Sequence, residues 1–373
     1  MTSPRVDCFD ALRLLAALAV VVGHSVTHLN TSFLWYDSGN GWWFQDGVIA
    51  FFVLSGLMVY RSGERCHERG QPWREYYRNR ALRIIPAIYA YGLIIVLALA
   101  VVGEINFSNV TSVGVLAFIA SIFALIPVYH PAQFADFGVG VVNGSLWTIP
   151  VEVSFYLVLP LIVLLMHRAG FKKGMAALAA IAAAGILIRS AGFAFAPDTM
   201  LVKLYGVTFL GWLWYFSLGI YWSRMWKRTP HHGGLALLCV ALYVALAAWR
   251  YVVSEPEYGT LLAALAAIPL SYALIWFGNY GPRLFGHITN RIGDLSFGTY
   301  VWHMVVVNFL IYFGAREWPL PGTLKVSVVI FASLALGALS WHLVERPALA
   351  RKKYSSVEVI KTEMDEARQS PSA

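Results

Sequence analysis

The chain has 373 residues, of which 58% are hydrophobic and only 13% charged, with a formal net charge of +8. So little charge at this length excludes a water-soluble domain and points to several segments able to cross about 30 Å of hydrocarbon. Cys8, Cys66 and Cys239 are too scattered for a disulfide framework or a zinc site, and the cations sit at helix ends rather than in a nucleic-acid-binding patch.

The first apolar run, 9–28, is read as a retained anchor: no small-residue cleavage pattern follows, and the sequence continues His24, Ser25, Val26, Thr27, His28. Arg13 and His24 are eleven residues apart, and at about 100° per residue they return to nearly the same helix face. Ala17 and Val20 share that face and Asp10 lies close to it. Each buried charge costs roughly 2.5–3.5 kcal/mol on insertion scales, so the stripe argues for an interior polar path. A lone histidine in a helix often does no more than bond a neighbour. A neutral imidazole in the second half of a span, however, can also take a proton from a hydroxyl.

The second run, 45–60, opens at Asp46 and Gly47 and carries Phe51, Phe52, Ser55 and Gly56, a pattern suited to close helix packing. Residues 61–83 read as a basic loop, with seven arginines against Glu64, Glu68 and Glu75. Arg80 and Arg83, three apart, enter the third run, 84–102, on one side of a helix; their forked guanidinium groups suit phosphate oxygens as well as simple anchoring. A short apolar piece follows at 111–127, broken by Gly114 and Pro127, and then an aromatic and glycine-rich loop, 128–146.

That loop ends in Gly144, Ser145 and Trp147, and the span 147–166 carries Glu152 about six residues in. A carboxylate at that depth must be neutral or paired, either with a neighbouring helix or by balancing a histidine; Ser145 can equally serve as a helix cap. Runs at 174–191, 204–223, 234–253 and 260–277 are apolar. The run at 294–313 contains His303 in its middle, and the run at 325–344 closes on Glu345, Arg346 and Pro347. Residues 351–373 form a charged tail distinct from the membrane domain, 1–350.

Charge placement sets the expected topology. If the N-terminus is inside and 111–127 does not cross, only Arg189, Lys203, Arg250, Arg316 and Lys325 lie outside, leaving 23 of the 28 Lys and Arg within. The expected fold is therefore an all-α polytopic bundle of about ten transmembrane helices, with both termini cytoplasmic. The segment 111–127 is then re-entrant or interfacial. No glycine-rich nucleotide loop, metal-ligand spacing or serine nucleophile elbow appears, so neither a metal nor NAD is expected.

Taken together, these residues resemble the acyltransferase family 3 integral membrane proteins. Arg13 through His24 is similar to the family's arginine–ten residues–histidine signature, and Asp46 to Gly56 to its Phe-Phe-Val-Leu-Ser-Gly block. Arg80 and Arg83 match its Arg-x-x-Arg, and Ser145, Leu146, Trp147, Glu152, Phe155 and Tyr156 match a further block. Tyr300 to His303 and Val344 to Pro347 match the two C-terminal blocks. Leu14 stands where a glycine is usual, and Val153 where many members have a second acid.

The resemblance implies transfer of an acetyl or other short acyl group from cytoplasmic acyl-CoA to a hydroxyl of a bacterial surface or secreted glycan, such as an exopolysaccharide, in the cytoplasmic (inner) membrane. Arg80 and Arg83 would bind the donor's phosphates and Arg13 would line its path. His24 would act as base or as a transient acyl carrier, with Glu152 and Ser145 beside it. Asp10, Trp147, His303 and Glu345 are secondary candidates. The competing reading is a proton-coupled carrier or flippase, which also uses buried Arg, His and Glu; a purely structural subunit would leave those charges without purpose.

Overall fold

The computed structural model describes residues 8–34, 36–37, 46–253 and 260–352, with backbone alone at Tyr251. Most of the charged tail, and Arg5, lie outside them. The regular structure of the described chain is helical apart from one two-residue β pair, β1 (Ser32–Phe33) with β2 (Tyr36–Asp37). Its helices are α1 (Phe9–His28), α2 (Gly47–Glu68), α3 (Trp73–Val101), α4 (Val113–Phe123), α5 (Thr148–Ala169), α6 (Phe171–Phe195), α7 (Met200–Gly206), α8 (Leu213–Met225), α9 (Gly233–Val252), α10 (Leu261–Tyr280), α11 (Arg283–Ile292), α12 (Ser296–Tyr312), α13 (Gly322–Ser340) and α14 (Arg346–Leu349).

Among the described residues, eight helical segments are long and apolar enough to cross a bilayer. Two further bent pairs, α7 with 209–228 (62°) and α11 with α12 (72°), raise the number to ten if each counts as one span. The all-α polytopic bundle is thus the fold. The segment at 111–127 holds just the 11 residues of α4, which at 1.5 Å per residue reach about 16 Å, half a bilayer core. α4 leans on α3, where the Tyr89 hydroxyl donates to the Phe123 carbonyl at 3.0 Å.

One expectation needs correction. Residues 61–83 are not a loop: α2 runs on to Glu68 and α3 already begins at Trp73, leaving a turn at Arg69–Pro72. Apolar runs mark where a helix meets lipid, not where it stops. Arg and Glu are good helix formers, and the Tyr60 hydroxyl bonds Glu64 one turn on, so the helix outlasts its hydrophobic part.

The main core gathers α1, α2, α3, α5, α8 and α12 around Ala17, Val53, Ile88, Phe155, Phe216 and Val301. α2 and α8 approach most closely, through paired glycines. A Cβ on Gly56 would lie 2.0 Å from the Phe216 carbonyl oxygen, and one on Gly219 the same distance from that of Val53. Large apolar side chains such as Leu97, Leu161, Leu187, Leu238 and Phe331 point outward, as a lipid-facing surface requires.

Candidate functional site

The beginnings of α1 and α3, the second half of α2, the break ahead of α12 and the turns that follow α13 surround an open basin of about 660 Å³. Its walls carry Arg13, Arg61, Arg65, Arg80, Arg83 and Lys352 against the carboxylates of Asp10, Glu152 and Asp294. The centre of this charge is Asp294, which the break between α11 and α12 pushes inward. Gly293 makes that break: its φ is +90°, and a Cβ there would stand 1.9 Å from Trp341 Nε1. Arg13 Nη1 and Arg83 Nη2 both donate to Asp294 Oδ2 at 2.5 Å, and Ser296 Oγ donates to Oδ1 at 2.5 Å.

The second carboxylate at this end is Glu345, which is 1% exposed. It closes a π-helical turn, Trp341–Glu345, accepts from Ser340 Oγ at 2.8 Å and lies 3.8 Å from Arg83 Nη1. Arg13 also has Asp10 at 3.8 Å, one turn back on α1. Arg80 is held differently. Its guanidinium carbon lies 5.6 Å from the centre of the Tyr156 ring, and its buried Nε makes no hydrogen bond. Arg80 therefore has a buried donor without a hydrogen-bond partner. Lys352 sits just beyond the last helix; burial first, then the guanidinium groups of Arg80, Arg83 and Arg13, push its ammonium down to about 8.

Deeper in, a cavity of about 40 Å³ shares Arg13, Ser55 and Glu152 with the basin and is otherwise walled by Phe51, Phe52, Thr148, Phe297 and Tyr300. Glu152 faces both spaces. Its carboxylate accepts a hydrogen bond from Tyr156, one turn along α5.

His24 meets His303, not Glu152. The two rings lie 5.1 Å apart and are 14° from parallel, with His24 Nδ1 2.8 Å from His303 Nε2. His303 is fully buried, and its Nδ1 lies 2.6 Å from the Tyr300 carbonyl oxygen. A carbonyl oxygen can only accept, so His303 Nδ1 carries a hydrogen. In a neutral ring Nε2 then holds the lone pair and accepts from His24 Nδ1–H. His24 Nε2 is left as the basic nitrogen. The chain from the Tyr300 carbonyl through two imidazoles thereby assigns both tautomers.

Beyond His24, toward the other end of α1, lies a third cavity of about 480 Å³ lined by Thr27, His28, Gly138, Val139, Val141, Gly144, Met304 and Arg316. The His28 ring is 5.7 Å from that of His24. One wall of this cavity is the loop before α5, and α12 fastens it. Asn308 accepts from Val139 N and donates to the Val141 and Val142 carbonyls, all at 2.9 Å. Asn143 donates to the Val301 carbonyl at 2.9 Å, and the Tyr300 hydroxyl donates to the Ser145 carbonyl at 2.7 Å.

The residues singled out from sequence thus fall into three groups. Asp10, Arg13, Arg80, Arg83 and Glu152 line the basin, with Glu345 behind Arg83. His24 and His303 form the ring pair. Ser145 and Trp147 belong to the short turn Gly144–Trp147, where the Ser145 hydroxyl is spent on Asn143 at 2.7 Å. Sequence reasoning missed Asp294, Asn308 and the buried pair Asp46–Arg250, whose atoms approach to 2.9 Å. An acid heading an apolar run, opposite two arginines that need a partner, was the available signal for Asp294. Among the described residues, Glu64, Glu68 and His167 have metal-ligand spacing at the surface, but Glu64 is already bonded to Arg224.

The family described as an acyltransferase domain, acyltransferase family 3, matches residues 6–342. The chain is 32% identical to nodulation protein 10 of Rhizobium leguminosarum bv. viciae, over 91% of this chain and 92% of that one. It is 23% identical to the peptidoglycan O-acetyltransferase OatA of Listeria monocytogenes, over 92% of this chain and 55% of that one. It is 24% identical to an O-acetyl transferase of Shigella phage Sf6, over 92% of this chain and 96% of that one. No solved structure matches it.

Proposed function

The chain belongs to acyltransferase family 3 and is a membrane acyltransferase, and from that premise we propose that it moves an acetyl or other short acyl group from acyl-CoA in the basin to a glycan hydroxyl presented from the third cavity. The observation that carries this reading is the His24–His303 pair. It stands between a cation-rich space fit for a nucleotide phosphate donor and a second space at the other end of the bundle.

Arg80, with its waiting Nε, and Lys352 take the donor's phosphates, and the pantetheine arm enters the narrow cavity past Arg13 and Glu152. Asp294 holds Arg13 and Arg83 in place. At the far end of the arm, His24 Nε2 removes the proton of the acceptor hydroxyl as its oxygen attacks the thioester carbonyl. The C–O bond forms, the C–S bond breaks, and the imidazolium returns its proton to the departing thiolate. Throughout, His24 Nδ1–H stays bonded to His303, and the Tyr300 carbonyl anchors that ring, so the developing positive charge is stabilised without a buried carboxylate.

In this reading the basin faces the cytoplasm, where acyl-CoA is made, the arginine-rich helix ends face the same way, and the membrane is a bacterial inner membrane. The acceptor is a glycan, as peptidoglycan is in the name of one relative. The carrier alternative loses its motive once the chain is an acyltransferase.

The test is direct. Inner membranes containing the wild-type chain, given labelled acetyl-CoA, are expected to label a glycan fraction, and membranes containing His24→Ala at equal abundance are not. Equal labelling by the variant would overturn the assignment.

A further inference from the structure

The two helices that carry the ring pair also wall the cavity beyond it. α1 supplies Thr27 and His28, one turn after His24, and α12 supplies Met304, next to His303. α12 then ends in a turn that glycine closes. The Gly314 N–H donates to the Ile311 carbonyl and the Ala315 N–H to the Leu310 carbonyl, both at 2.9 Å, and Gly314 has φ +78°. Ala315 is 1% exposed and belongs to a small core with Leu29, Val307 and Val329. With the turn pinned in this way, the next residue, Arg316, comes to the cavity wall.

Arg316 is held at both ends. Its Nε donates to the His28 carbonyl, and its own carbonyl accepts from Nζ of the buried Lys325, both at 2.9 Å. One donor of the guanidinium is thus spent on positioning. Among the described residues its two terminal nitrogens have no hydrogen-bond partner, and Arg316 makes no ion pair, even with Glu317 beside it in the chain. Among the described residues lining the cavity there is no carboxylate. A guanidinium fixed through Nε presents its terminal N–H groups as a flat fork, the shape that fits two oxygens of a carboxylate or phosphate. The cavity, about 480 Å³, is within the roughly 300–1,000 Å³ common for small-molecule sites.

We propose that Arg316 selects an acidic acceptor: it grips a carboxylate or phosphate carried by the sugar and holds that group in the cavity beside His28. The inference rests on reading this cavity as the acceptor's, while anion binding in itself requires no acyl transfer. The His28 ring is 5.7 Å from that of His24, so the anion is held about one helical turn from the base. The acid then belongs to the sugar that receives the acyl group or to its neighbour. Cations at opposite ends of α1 also keep two anionic substrates apart, the donor's phosphates at the basin and the acceptor's acid at Arg316.

The test measures sugar binding by equilibrium dialysis, with the full chain in phosphatidylcholine nanodiscs and coenzyme A present throughout to occupy the basin. Two matched pairs are compared: cellobiouronic acid with cellobiose for a carboxylate, and glucose 6-phosphate with glucose for a phosphate. Wild type is expected to bind the acidic member of at least one pair about fivefold or more tighter than the neutral member. Arg316→Gln is expected to abolish that preference. Arg316→Lys, which keeps a charge and a donor, is expected to retain part of it, and it supplies a folded comparison if the glutamine variant is unstable. Lys203→Gln, an exposed charge elsewhere, is expected to leave the preference intact. No preference in wild type, a wild-type preference in Arg316→Gln, or its loss in Lys203→Gln would each overturn the proposal. Acyl transfer is read separately, in the labelling experiment above. Labelled glycan without an acid preference would leave the transfer standing and overturn this inference; an acid preference without labelling would do the reverse.

Discussion

His303 presents Nε2 to His24 Nδ1 at 2.8 Å while its own Nδ1 is tied to the backbone of Tyr300 at 2.6 Å, so the basicity of one ring is set by the anchoring of the other. The arrangement does for an imidazole what an orienting acid does elsewhere: it holds the ring and fixes which nitrogen is bare.

The first expectation follows from that pair. His24→Ala removes the proposed base and is expected to lower kcat by about 10²–10⁴-fold. His303→Phe keeps a ring of similar shape but no acceptor for His24 Nδ1–H. It is expected to lower kcat by at least about tenfold while leaving the KM for acyl-CoA unchanged. Steady-state kinetics on the purified variants separates the two constants. A raised donor KM with unchanged kcat in His303→Phe would remove it from the proton path.

At the basin, Arg80→Gln is expected to raise the acyl-CoA KM about tenfold, because a charge-assisted phosphate contact is lost, with little change in kcat. Donor titrations at saturating acceptor measure this, and an unchanged KM would make Arg80 a membrane anchor.

Asp294→Asn behaves differently. It takes from Arg13 and Arg83, both near 2.5 Å from one oxygen, the counter-charge they share, leaving each only a more distant carboxylate at 3.8 Å. Removing one partner from a buried ion cluster costs about 3–5 kcal/mol. The expected outcome is a clear drop in the midpoint of thermal unfolding, read in detergent by intrinsic fluorescence. A midpoint equal to wild type would show that the two guanidinium groups hold their places unaided.

The donor site should also carry a pH signature. Burial and three neighbouring guanidinium groups hold Lys352 at about 8, below the usual lysine value. Below that pH the ammonium is charged and adds to phosphate binding; as pH rises through it, the cation is lost and the acyl-CoA KM should climb. Lys352→Arg keeps its charge throughout and is expected to flatten the profile above pH 8. Identical KM–pH curves for wild type and Lys352→Arg would exclude this residue from the donor site.

On the other side of the ring pair, Asn308→Leu removes three hydrogen bonds to the backbone of the loop at residues 139–142. At about 0.5–1.5 kcal/mol for each net bond, the loop is expected to loosen and the acceptor KM to rise, with the donor KM held. An increase in the donor KM instead would place the loop on the wrong side of the site.

What the sequence makes readable is governed by the bilayer. The run at 9–28 coincides with α1, because hydrocarbon thickness dictates how many apolar residues a span needs. The end of α2 is not readable that way, since Arg61–Glu68 is helical through propensity and pairing rather than hydrophobicity. Arg13 and His24 are readable as one face of a helix. Their partners, Asp294 and His303, lie about 280 residues onward on and beside a different helix, and no local spacing could supply them. Glu152 shows the same limit from the other side: its depth in the span follows from counting, but its bond to Tyr156 and its place between two cavities depend on how α5 is turned.

The constriction walled by Phe51, Phe52, Phe297 and Tyr300, with about 40 Å³ of room, also bears on the energy economy of the cell. A wide aqueous passage along α1 would dissipate the proton gradient across the membrane. An aromatic collar resists wetting and denies ions a hydrated route, yet a slim, flexible arm can still thread it end-on. Under the proposed function, the acyl group would be handed over while no current flows.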